Sequence, residues 1–233
     1  MTAALAGSPA RAESVVPPLA ADGSVSAEQI ESAIAAIEAR EGLDEETRTR
    51  VIDLLRDAQV QLQNAKSARQ SAATFAAAIQ SAPAEAEKLR KELNEGAPAV
   101  PTAASLGITD STPLTELEQK LATKSAEVAA AEAWLADLES QIAVQAERPA
   151  QARERANELR AGMDELAATI ESPLPAGESA MLTDARRLAA QLKLTARTAE
   201  LNKLDQEMVS YNARLELTRV QRDIADRTLT ILR

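Results

Sequence analysis

An apolar seam at heptad spacing constrains what this chain can fold into more than any other feature. Leu114, Leu117, Leu121, Val128, Ala131, Leu135, Leu138 and Ile142 follow the three-and-four spacing that holds one stripe of a helix against a partner over many turns. The residues between them are mostly Glu, Lys, Gln and Ala, which suit water. The predicted fold is all-α: an elongated antiparallel bundle, built as coiled-coil hairpins of long helices.

Composition sharpens that expectation. The chain has 233 residues, 45% of them hydrophobic, but its only aromatic side chains are Phe75, Trp134 and Tyr211. A core of Ala and Leu with so few rings fills narrow seams between helices rather than a thick interior. The net charge of −10 argues against nucleic acid as a partner, because phosphate binding needs a concentrated basic surface. Residues 179–233 alone carry a net of +3. Two readings stand beside each other there: a basic helix near anionic lipid, or ordinary pairing of Arg219 with Asp223, Arg222 with Asp226 and Asp223 with Arg227, each four residues apart. The absence of Cys excludes disulfides. No run of about 18 apolar residues occurs, so no segment reads as a membrane span.

Along the chain, residues 1–25 read as a disordered, Pro-containing leader. Ala10-Arg11-Ala12 has the small-x-small form of a signal-peptidase site, so this stretch is either the remnant of a signal peptide or an Ala-rich leader. A helical domain over 26–233 follows. Ser26 with Gln29 forms a capping-box pattern and opens a helix over 26–41, with Ile30, Ile34 and Ile37 on one face. Asp44 caps a helix over 44–95, which Pro83 restarts or kinks; its stripe is Val51, Leu55, Ala58, Leu62 and Ala65, continuing through Ala72, Ala76 and Ile79. Residues 96–112 form a long loop with Pro98, Pro101 and Gly107, and loops of this length are functional or disordered. The seam helix spans 113–147. Arg148-Pro149 breaks it and starts another over 149–171, and Ser179 caps a last helix over 179–232. The stripe of that last helix is Leu201, Leu204, Met208, Tyr211 and Leu215.

Chemistry is hard to place on this chain. With no His and no Cys, the usual zinc sites and Ser-His or Cys-His nucleophile pairs are missing. The seven glycines never approach phosphate-loop spacing. Carboxylates cluster at Asp44-Glu45-Glu46 and at Glu85 with Glu87, both at predicted helix starts, where acidic groups complement the helix dipole. No catalytic, metal-binding or cofactor-binding residue is assigned, and no cofactor is implied. The candidate residues are structural ones of the seam: Leu117, Leu121, Leu135, Leu138, Leu201, Leu204 and Tyr211. Interhelical packing is the reading for Tyr211 and for Trp134; the alternative for Trp134 is a groove that receives a partner.

Several stretches carry a resemblance. Ala82-Pro83-Ala84-Glu85, Leu89-Arg90-Lys91-Glu92-Leu93, Leu117-Glu118-Gln119-Lys120-Leu121, Glu147-Arg148-Pro149, Leu204-Asp205-Gln206-Glu207 and Arg222-Asp223-Ile224-Ala225 occur in this order. Together they resemble the helical periplasmic "porin" domain at the N-terminus of large MscS-type mechanosensitive channels. The resemblance implies a periplasmic domain attached to the inner membrane through downstream segments, partnered by other subunits of a homo-oligomer, a heptamer in that family. It implies service to a tension-gated pore that protects against hypo-osmotic shock. The pore-forming region is missing from this chain, so the expectation is a fragment or a shortened gene. The alternative is a free-standing periplasmic coiled-coil adaptor that tethers another envelope protein. A small-molecule sensor would need a pocket, and only the 97–113 loop offers a place for one.

Overall fold

Ser26 starts the first helix as its side chain dictates. The Gln29 N–H donates to Ser26 Oγ at 3.2 Å and the Ser26 N–H donates to Gln29 Oε1 at 2.8 Å, a complete capping box. In the computed structural model, which describes residues 15–18, 25–96 and 99–233, five helices follow one another: α1 (Ala27–Glu38), α2 (Glu45–Asn94), α3 (Leu114–Ala161), α4 (Met163–Glu171) and α5 (Ala180–Leu232). The fold is all-α, and no strand occurs among the described residues. Asp44 caps α2 by accepting from the Thr47 N–H at 2.8 Å. The signal-peptidase-like Ala10-Arg11-Ala12 lies outside the described residues. Val16 and Val25, from the stretch expected to be a leader, are buried in a core cluster.

Two predicted features of the helices are corrected. Pro149 does not break the seam helix; α3 runs through it to Ala161. An internal proline removes one helix hydrogen bond and crowds the carbonyl four residues back. Here the buried line keeps its heptad phase across the proline, from Ala131 and Leu138 to Ala152, so packing on both sides holds the turn. The break falls instead at Gly162 (φ −107°, ψ 9°). A Cβ at Gly162 would lie 2.1 Å from Nη1 of Arg197; the missing side chain leaves room for the guanidinium against the helix break. Pro83 is likewise internal to α2, so Glu85 and Glu87 stand in the last turns of that helix rather than at the start of another. Glu87 pairs there with Lys91 at 3.3 Å.

The chain divides into two compact units, to each of which α2, α3 and α5 contribute residues. The first holds residues up to Ser71 with Ala156–Asn202. Its core joins Ile30, Ala33 and Ile37 of α1 to Val51, Leu55 and Ala58 of α2 and to Ala185, Leu188 and Leu192 of α5. Farther along the same two helices Ala65 and Ala68 meet Ala196 and Ala199, so α2 and α5 run parallel. Half of the buried apolar residues are Ala, which lets backbones approach closely and explains how so few large side chains fill the seams.

The second unit holds Ala72–Arg155 and Lys203–Arg233. Here α5 is again parallel to α2, through the ion pairs Arg90–Glu216 and Arg227–Glu92. It is antiparallel to α3: Arg233 pairs with Glu132, Gln145 donates to Thr218 and Arg148 pairs with Glu207. The expected hairpin thus exists between α3 and α5, while α2 and α5 point the same way.

Candidate functional site

The helical stripe of α5 that faces inward in the second unit is polar at its centre. Glu207 (4% exposed), Ser210 (0%) and Thr218 (6%) are buried, spaced as one helix face. A buried carboxylate demands a partner, and α3 supplies it. Arg148 Nε donates to Glu207 Oε1 at 2.8 Å and its Nη2 to Oε2 at 2.9 Å, a bidentate fork that fixes geometry as well as charge. This hydrogen bonding holds the Glu207 carboxyl below the ordinary glutamate range despite its burial, and raises Arg148 in turn.

Arg214 completes the cluster from the next turns of α5. Its Nε donates to Ser210 Oγ at 3.1 Å and its Nη2 to the Glu207 carbonyl at 3.2 Å. Its guanidinium carbon sits 4.6 Å from the centre of the Phe75 ring on α2, a cation–π contact. Burial pulls Arg214 down, and the Glu207 charge opposes that shift. Ser210 donates onward to the Gln206 carbonyl at 2.9 Å. The only Phe of the chain, the Arg148–Glu207 pair and Arg214 therefore join α2, α3 and α5 at one node. Its groups are bonded to one another and hold the three helices together.

The seam residues named from sequence are distributed around this node rather than in it. Leu138 and Leu204 are buried, at 4% each. Leu117, Leu135, Leu201 and Tyr211 are half-buried. Leu121 is 68% exposed and Leu114 is 70% exposed, so the seam does not hold at its start. Arg233, at the end of α5, pairs with Glu132 at 2.7 Å; both exposed leucines lie on α3 before that level. Trp134 is 41% exposed, so it is not the buried interhelical residue expected. On α5 the apolar stripe flanks the central line, which is carried by polar residues that hydrophobic patterning passes over. The signal is nonetheless in the sequence: Glu147-Arg148-Pro149 and Leu204-Asp205-Gln206-Glu207, two of the segments that carry the resemblance, meet at the ion pair.

The charges of the C-terminal region serve other contacts than those expected. Arg227 does not pair with Asp223; its Nη1 donates to the carbonyls of Glu92 at 2.9 Å, Leu93 at 3.3 Å and Gly96 at 3.4 Å. It caps the C-terminus of α2, where a cation complements the dipole. The chain turns there on Gly96, whose φ of +99° suits glycine. The 99–113 loop folds against α3, with Lys120 Nζ donating to the Leu106 carbonyl at 2.9 Å. An open cleft of about 370 Å³ lies beside it, lined by Leu106, Glu116, Gln119, Lys120, Thr123 and Lys124. Both lysines are paired within the helix, Lys120 with Glu116 and Lys124 with Glu127.

No helix among the described residues is long and apolar enough to cross a membrane. No curated protein and no solved structure matches the chain. The mechanosensitive ion channel porin domain family matches residues 33–233, a span that takes in the whole second unit, the first unit from within α1 onward and every residue of the node. By that match this chain belongs to the mechanosensitive ion channel porin domain family.

Proposed function

We propose that this chain is the periplasmic helical domain of an MscS-type channel, acting as a structural and regulatory scaffold for a tension-gated pore. The family match over residues 33–233 carries the reading; a node that spends its charges on tying three helices together supports a mechanical role. Helices braced in this way resist sliding and bending. They bias a closed–open equilibrium to the extent that their contacts differ between the two states. The partners in this reading are neighbouring subunits of a homo-oligomer and the inner membrane, reached through other segments of the channel. The test is deletion of the domain from the channel that carries it, followed by patch-clamp measurement of opening tension and by survival of hypo-osmotic shock. The scaffold reading expects a changed threshold with conductance retained; an unchanged threshold and unchanged assembly would remove it.

The exposed Leu114 and Leu121 favour one second reading, a coiled-coil adaptor that tethers an envelope protein through this end of the seam. Sequencing the gene beyond Arg233 separates the two, since the channel reading expects apolar runs of about 20 residues there.

A further inference from the structure

We propose that the Arg148–Glu207–Arg214–Phe75 node is a register lock, which admits one axial alignment of α2, α3 and α5 and excludes those one turn away. The inference stands on helix contacts alone and does not depend on the channel reading. Seams rich in Ala and Leu specify axial position weakly, because one small apolar side chain replaces another when helices slide; buried polar pairs restore the specification. A slip of one turn moves α3 by about 5.4 Å along α5. Toward the start of α5 it brings Arg148 to Lys203, four residues before Glu207 and on the same face. Toward the end of α5 it brings Arg148 into the turn already filled by the Arg214 guanidinium, which is bonded to Ser210 and to the Glu207 carbonyl. Either displacement sets cation against cation.

Glu207 fares no better. The α3 residues one turn from Arg148 are Val144, Gln145, Gln151 and Ala152, none of them cationic. Asp205, the carboxylate nearest in sequence, is exposed on another face of α5. The same logic fixes α2: the positions one turn from Phe75 are Ser71, Ala72, Ala78 and Ile79, so no other ring replaces it over Arg214. The lock works through what the neighbouring positions refuse as well as through the pair itself.

The chain contains no cysteine, so two introduced thiols can be spin-labelled cleanly. The positions for Ala133→Cys on α3 and Asn212→Cys on α5 are both exposed. Asn212 precedes the Glu132–Arg233 contact by about 30 Å along α5, so an axial slip registers as a distance change. Double electron–electron resonance on this labelled protein is expected to give one narrow distance. Lys203→Glu offers Arg148 a second carboxylate one turn away, and is expected to add a population displaced by about 5 Å. The charge swap R148E/E207R keeps an ion pair but sets the carboxylate on α3 among three cations of α5, at positions 203, 207 and 214, and is expected to broaden the register too. A merely structural pair would show one undisplaced distance in the swap. Retention of that single distance in either variant, at unchanged helicity, overturns the lock.

Discussion

Glu207 is the residue on which the energetics of the second unit turn. Its side chain is buried and both of its oxygens are bound by one guanidinium. Removal of one partner from such a pair leaves the other uncompensated, and this penalty exceeds the net worth of the pair. Arg148→Gln is expected to lower unfolding stability by about 3 kcal/mol and Glu207→Gln by about 2 kcal/mol, read by urea denaturation at pH 7. Acid adds an independent check. The folded pKa of Glu207 lies below its unfolded value near 4.3, so the native state binds fewer protons. Its contribution is complete above the unfolded value and is lost as pH falls through the folded one. Stability of the unmodified protein should therefore drop, as pH falls below the ordinary glutamate value, more steeply than that of Glu207→Gln.

Gly162 makes the opposite case, a position where a helix-forming residue is not a simple gain. Alanine adds about 1 kcal/mol of helix propensity but meets the Arg197 guanidinium at 2.1 Å. The obstructing atoms are the end of a flexible side chain. Gly162→Ala should therefore change the melting temperature by no more than a few degrees, and its effect should depend on Arg197 in a double-mutant cycle with Arg197→Ala.

Among the helices, what can be read from the sequence and what cannot divides along a physical line. The capping box at Ser26, the Asp44 cap and the inward Ile30, Ile37, Val51 and Leu55 follow from local chemistry and apolar periodicity, and the structure holds each of them. Pro149 misleads because its propensity is local, whereas the unbroken phase from Leu138 to Ala152 is tertiary. The centre of α5 escapes hydrophobic patterning because Glu207, Ser210 and Thr218 are polar; Arg148 and Gln145 of α3 partner Glu207 and Thr218, while Ser210 bonds within α5 to Arg214 and the Gln206 carbonyl. The turn after α2 is equally out of reach: Arg227 lies more than 130 residues from the carbonyls that it caps. Similar contacts hold the turn before α2, where Arg48 donates to the carbonyls of Arg40 and Leu43, and the end of α4, where Arg187 donates to the carbonyl of Ser172. The turn before α2 and the ends of α2 and α4 thus each receive an arginine from a helix that follows. Arg227→Ala should cost about 1 kcal/mol and speed hydrogen exchange in the last turns of α2, with exchange in α1 unchanged.

At the scale of the protein, the scaffold role proposed above turns these local contacts into a statement about force. A scaffold beside a tension-gated pore is useful only if displacement of one helix is passed to its neighbours rather than dissipated by sliding. The charge pattern fits that role: cations near the end of the chain bind carboxylates and carbonyls of α2 and α3, and α5 carboxylates bind arginines of α2 and α3, while Arg222 and Asp223 pair within α5. The most direct measurement is opening tension in membrane patches for the full channel carrying Arg148→Gln, beside the exposed control Arg153→Gln. A brace whose register is held by the node predicts a lower threshold for Arg148→Gln and an unaltered one for Arg153→Gln. An Arg148→Gln channel that opens at the unmodified tension would contradict it.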